Sequence, residues 1–285
     1  MDLLQQIEYE LPKMSKGHKL LANYVLENYD KAAYMTAQKI GKEIGISEST
    51  VVRFAYSLGF EGYPQFQRAL KQLVQSKLTS LQRLRLSQSE MNDNNVVEAI
   101  LKEDINNIKA TLENMDKEVF NKAVQAVLNA DKVYIIGVRS CEALSAFLIH
   151  YLAYLLPDSL CVMPAHADTP EYIVRINPND CLIGISFPRY SNKTVDAMKY
   201  AKEQGAKTIA ITDTQMSPLA KEAEYCLFAK SHTTALADSL VAPLSIINAF
   251  VAAISLHKQD EVKEYFEALE EVWGNSMVYS KKAEQ

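Results

Sequence analysis

From Lys132 onward the sequence abandons helical spacing for short, unbroken apolar runs, each bounded by a turn. The first is Val133-Tyr134-Ile135-Ile136-Gly137. Leu160–Met163, Asp180–Ser186, Lys207–Asp213 and Tyr225–Ala229 follow. A continuous run puts apolar side chains on both faces, as a strand requires when both its sides are covered. Helix-like stretches separate the runs: Glu142–Leu156, Thr194–Gln204 and Ser217–Ala223. Alternating strands and helices predict a doubly wound, parallel, five-stranded α/β domain. Ligands of such sheets bind beyond the carboxyl ends of the strands.

One of those ends has a distinctive composition. Cys181–Val195 reads CLIGISFPRYSNKTV, an apolar run that gives way to Ser186, Arg189, Tyr190, Ser191 and Thr194 just before a helix. The first turn of a helix has free N–H groups and carries the positive end of the helix dipole, so an anion fits there. A second polar turn, Val138-Arg139-Ser140, follows the first strand. Two loops converging hydroxyls and arginines on one crevice predict a phosphate site at Arg139, Ser140, Ser186, Arg189, Tyr190, Ser191 and Thr194.

The front of the chain is of another kind. Residues 1–85 hold 12 Lys and Arg against 8 Asp and Glu, whereas residues 86–285 hold 18 against 27. Nucleic-acid contact therefore belongs in front. Within Met35–Phe60, Thr36 can cap a helix over Ala37–Glu43, with Ile40 and Ile44 inward. Gly45 suits a tight turn, Ile46 plugs the angle, and Ser47 caps a second helix that runs to about Leu58 and stops at Gly59. Val51, Ala55 and Leu58 share one face of that helix, while Ser49, Thr50, Arg53 and Ser57 share the other. This is the pattern of a helix-turn-helix, whose second helix enters the major groove of double-stranded DNA. Ser47, Ser49, Thr50, Arg53 and Ser57 are the expected DNA-reading residues, against the plainer alternative of a helical hairpin with a polar outer face.

The 285 residues allow about two domains at ~100–200 residues each. The expected division is a helix-turn-helix domain over 1–78, a helical linker over 79–122 that includes the polar run Ser87–Asn95, and an α/β domain over 123–285. Helices are also expected at Gln65–Leu78, Val96–Glu113, Lys117–Asn129, Val241–Leu256 and Asp260–Trp273, with Asp238-Ser239 read as a cap pair against the alternative that it faces the pocket and accepts sugar hydroxyls. Cys141, Cys161, Cys181 and Cys226 are widely spaced and form no CxxC pair, so no structural metal or disulfide framework is expected. No cofactor is implied either. The amino terminus lacks the apolar core of a signal peptide, and Ser239–Leu256, with Pro243 and Asn248, reads as a buried helix rather than a membrane span. A cytoplasmic protein is expected.

The two halves together resemble the RpiR family of bacterial transcription regulators, which join an N-terminal helix-turn-helix to a sugar isomerase (SIS) domain. In front the resemblance rests on ISESTVVRFAYSLGFEGYPQF, Ile46–Phe66. Behind, it rests on IGVRS (Ile136–Ser140), ISFPRYSNKT (Ile185–Thr194) and IAITD (Ile209–Asp213). The resemblance implies a phosphosugar held by Ser140, Ser186, Ser191 and Thr194. This chain departs from the common S-x-S-G-x-T loop and carries Arg139 where many members have glycine. Arg139 then either holds a more anionic ligand bidentately or pairs with an acidic neighbour. The implied function is a non-enzymatic regulator, dimeric or tetrameric, that binds palindromic operator DNA and senses a sugar phosphate or related anion. The SIS fold also houses isomerases, which need a base; His166, Glu171 and His232 are the candidates. A third alternative is an oligomerisation module.

Overall fold

The computed structural model describes residues 3–77, 95–162, 169–233 and 235–276. They divide into two compact units with the boundary between Lys102 and Glu103, and His232–Asp238 belongs with the first unit.

The first unit is helical: α1 (Leu3–Glu10), α2 (Lys16–Glu27), the short α3 (Tyr29–Ala32), α4 (Ala37–Ile44), α5 (Glu48–Ser57) and α6 (Tyr63–Lys77). Each of the three central starts is capped by a hydroxyl: Ser15 accepts from the His18 N–H, Thr36 from Lys39 and Ser47 from Thr50. Gly45 ends α4 at φ 72°, in the left-handed region that glycine reaches without strain. The α4–α5 turn is tight, and a Cβ on Gly41 would stand 2.7 Å from the Ile46 carbonyl oxygen. Leu21, Val25, Ile40, Val51, Phe54, Ala55, Phe66 and Leu70 form the core, with Phe54 edge-on to Phe66 at 5.6 Å between ring centroids. Phe54 was not anticipated there, and Ile44 is only half-buried. Leu20 is exposed, because α2 turns its Leu21–Val25 side inward.

The chain continues through α7 (Val96–Glu113) and α8 (Lys117–Leu128) into the sheet. The sheet elements are β1 (Val133–Gly137), α9 (Glu142–Leu155), β2 (Leu160–Val162), the short α10 (Thr169–Ile173), β3 (Cys181–Ile185), α11 (Asn192–Glu203), β4 (Lys207–Thr212), the short α12 (Pro218–Glu222) and β5 (Tyr225–Phe228). Two helices follow, α13 (Val241–His257) and α14 (Gln259–Ser276). All four pairings are parallel, in the order β2-β1-β3-β4-β5. Side chains alternate between two cores, as pleating demands. Ile135, Ile183, Ile209, Ile211 and Leu227 pack with α8, α9 and α13, and Ile136, Leu182 and Ala210 pack with Ala197, Met198 and Ala201 of α11. Helices therefore cover both faces, which is the expected doubly wound arrangement. One expectation is corrected: Asp238-Ser239 does not cap α13. Leu240 occupies the cap position without a side-chain bond, and the Ser239 hydroxyl instead donates to Asp104 at 2.6 Å. Among the described residues no helix is long and apolar enough to cross a membrane.

Candidate functional site

The strand order places a topological switch between β1 and β3. From β1 the chain moves outward to β2, then crosses back to the other side of β1. Gly137 pairs with Ile185 in register, so the turns that follow these two strands leave from adjacent points at the carboxyl edge. One turn carries Arg139 and Ser140, the other Ser186 through Thr194.

Both turns are strained at arginine. Among the described residues the non-glycine residues with positive φ are Arg139 at 60° and Arg189 at 61°. A left-handed L-residue costs about 1–2 kcal/mol, and such costs persist where function requires them. At Arg139 the strain has a local cause. The chain leaves β1 so closely that a Cβ on Gly137 would lie 2.7 Å from the Cys141 carbonyl oxygen. Ser145 fastens the turn by donating to the Gly137 carbonyl at 3.2 Å. Arg139 and Ser140 are exposed.

The second loop is folded onto itself. Ser186 is buried, and its hydroxyl accepts the Ser191 N–H at 3.1 Å. The Ser186 carbonyl accepts from the Thr212 hydroxyl at 2.8 Å. Tyr190 donates to Asp213 Oδ1 at 2.8 Å. Burial, then the neighbouring Asp213 carboxylate, pushes the Tyr190 phenol well up. Burial likewise raises Asp213, against the opposing hydrogen bond from Tyr190 and the charge of Lys230. Ser191 stands at the N-cap of α11 but makes no side-chain cap bond. Thr194, in the first turn of that helix, is fully buried, and its hydroxyl has no hydrogen-bond partner. A buried hydroxyl in that state costs about 1–3 kcal/mol.

Two neighbours were not among the expected site residues, although Asp213 ends the IAITD motif. Asp213 follows β4, and Lys230 lies just past β5 with its ammonium 3.5 Å from the Asp213 carbonyl oxygen. Their position at strand ends was the signal, and the rule that singled out Ser140 and Ser186 applies equally to them. The residues weighed as bases have different outcomes. Glu171 is exposed on α10, His232 groups with the first unit, and His166 lies outside the described residues. Among the described residues no group of three or more His, Cys, Asp or Glu could hold a metal ion.

In the first unit, α5 exposes Ser49, Arg53, Tyr56 and Ser57, while Thr50 is half-covered. Ser47 is occupied as the cap, within 2.9 Å of the Ser49 hydroxyl and 2.8 Å of the Thr50 hydroxyl. Ser57 donates back to the Phe54 carbonyl at 2.8 Å. Arg53 and Tyr56 are therefore long side chains that this face offers, and Tyr56 was missed although it lies three residues past Arg53 and seven past Ser49, on the same face. His18 of α2 sits edge-on to Phe54, and burial, then the Arg53 guanidinium, hold it below the ordinary histidine value of 6.5.

A capped helix-turn-helix and a doubly wound sheet with an arginine- and hydroxyl-rich switch point define a DNA-binding regulator that carries a small-molecule domain. The family model "Helix-turn-helix domain, rpiR family" matches residues 1–77, and the SIS domain model matches residues 127–253. The chain belongs to the RpiR family of helix-turn-helix transcriptional regulators. The HTH-type transcriptional regulator HexR of Escherichia coli is 24% identical over 288 residues, with 95% of each chain covered. An uncharacterized HTH-type transcriptional regulator of Clostridium perfringens is 29% identical over 227 residues, 79% of this chain and 80% of its own. Among solved structures, the sugar isomerase domain of an RpiR transcription factor from Sphaerobacter thermophilus is 27% identical with a TM-score of 0.59, covering 62% of this chain and 99% of that one. The Vibrio vulnificus NanR protein complexed with ManNAc-6P shares the fold along 98% of this chain and 100% of its own, at 20% identity and a TM-score of 0.60.

Proposed function

We propose that the SIS unit is a sensor for a phosphorylated sugar or related anionic metabolite, and that its occupancy alters operator binding by the helix-turn-helix unit. The carrying observation is the pair of left-handed arginines, Arg139 and Arg189, one in each turn at the β1–β3 switch point. A phosphoryl group between these turns takes charge from both guanidinium groups and hydrogen bonds from Ser140, Ser191 and the first turn of α11. Unfastening Ser186 from Ser191, and Tyr190 from Asp213, opens the loop and exposes the Thr194 hydroxyl. NanR, a fold relative solved with ManNAc-6P, supports a ligand of this chemistry. The regulators named among the relatives support sensing without turnover.

On this reading α5 lies in the major groove of double-stranded operator DNA. Arg53 reaches a base edge or phosphate, Ser49, Thr50 and Ser57 line the approach, and Ser47 holds the helix start. The working division remains 1–78, 79–122 and 123–285. The working form is a cytoplasmic homodimer or homotetramer whose two-fold symmetry matches a palindromic operator.

The test pairs two measurements on the full chain. Melting temperature is screened against sugar phosphates, and operator affinity is measured with and without any that raise it. The sensor reading expects a sugar phosphate that stabilises the protein and shifts operator affinity. A coupled assay that shows the same compound being isomerised would establish the enzyme instead.

A further inference from the structure

Helix α7, Val96–Glu113, is inside out. Its buried side chains are polar, Asn107 and Thr111. Val97, Leu101, Ile105, Ile108 and Leu112 face outward, from 38% exposed at Ile108 to 74% at Leu112. Their spacing places all five on one stripe. The Asn107–Thr111 side is held to the chain's own domain, where the Thr111 hydroxyl accepts the Lys230 N–H at 2.9 Å. A contiguous stripe of this kind, unlike scattered single residues, marks a surface that another protein covers.

We propose that the cover is a second copy of this chain, with α7 packed antiparallel on α7 about a two-fold axis beside Ile105. The inference rests on the homodimeric form proposed above and names its surface. The stripe is nearly its own reverse. Antiparallel pairing sets Val97 against the partner's Leu112, Leu101 against the partner's Ile108, and Ile105 against the partner's Ile105. An isologous contact requires this self-complementarity. The flanking charges agree. Glu98, steadied by Lys102 of its own helix, comes beside the partner's Lys109, and Lys109 comes beside the partner's Glu98. Parallel pairing would instead set like charges together. At its carboxyl end the stripe borders an apolar groove of about 390 Å³, with Ile108 and Leu112 on the rim and Met115, Phe120, Ala242 and Ile246 among its lining. The reversed pairing carries the partner's Val97 to that groove, and the two-fold fills both grooves at once.

Sedimentation of the full chain tests the surface. Ile105→Glu places two carboxylates on the axis and is expected to weaken self-association about 100-fold, with the helical circular dichroism unchanged because the site is half-exposed. Under mild oxidation Ile105→Cys is expected to cross-link to itself as a dimer on denaturing gels, and Lys109→Cys and the unsubstituted chain are not. If Ile105→Glu associates as tightly as the unsubstituted chain and Ile105→Cys fails to cross-link, the dimer uses another face and this surface is overturned. If the unsubstituted chain sediments as a monomer, the homodimeric reading falls with it.

Discussion

Thr194 and Asp213 bring opposite problems to the same loop. The Thr194 hydroxyl is buried without a partner, a cost that ligand binding would relieve on the proposed sensor reading. Thr194→Val is therefore expected to leave the unliganded protein as stable or more stable, by about 1 kcal/mol. It should also abolish the rise in melting temperature with a stabilising sugar phosphate. A variant that loses stability and keeps the ligand response would mean that Thr194 is structural. Asp213 is held above its ordinary value of 3.8, by burial first. With the folded value above the unfolded one, the native state binds more protons, and stability falls as pH rises from about 3.8 through the raised value. Asp213→Asn keeps an acceptor for Tyr190 and removes this slope. Its melting temperature should exceed that of the parent by more at pH 7 than at pH 4, as read by calorimetry at the two pH values.

At the scale of elements, the α4–α5 turn decides whether α5 is presented at all. Gly41 lies inside α4, where alanine is ordinarily the better helix former. Here its Cβ would meet the Ile46 carbonyl oxygen at 2.7 Å, a backbone atom that cannot swing away. Gly41→Ala is expected to destabilise the helix-turn-helix by about 2 kcal/mol, measured as a lower urea midpoint. Arg53→Ala tests the same element from outside. Arg53 is exposed and carries no core packing, so the fold should survive. Operator affinity should drop about 10- to 100-fold, as for a lost base-edge contact, while binding to unrelated DNA changes less. Equal losses on both DNAs would assign Arg53 to phosphate rather than to a base.

For the whole molecule, the proposed sensor function links effector and operator through one free-energy cycle. Whatever factor a sugar phosphate imposes on operator affinity, the operator must impose on sugar phosphate affinity. Titrating each in the presence and absence of the other should yield the same ratio, typically 5- to 150-fold. Unequal ratios would show that a step besides these two bindings, such as a change of oligomeric state, enters the cycle. The stripe on α7 is a candidate for that step, since in the proposed dimer its strength would set how well two recognition helices reach two half-sites.

Much of this protein is written locally. Ser15, Thr36 and Ser47 cap their helices, Gly45 takes its left-handed turn, and the runs at Val133, Cys181 and Lys207 are strands, because each depends on residues a few positions apart. The strand-end rule likewise pointed to Ser140, Ser186 and Arg189 before any pairing was known. Other features depend on contacts that no local spacing encodes. The placement of β1 beside β3, the orphaned hydroxyl of Thr194 and the approach of Lys230 to Asp213 are products of packing between distant segments. The outward stripe of α7 is the clearest case. Its periodicity announces an apolar face, but it takes the exposure of that face, with Thr111 buried and bonded to Lys230 119 residues away, to show that it is turned from its own core.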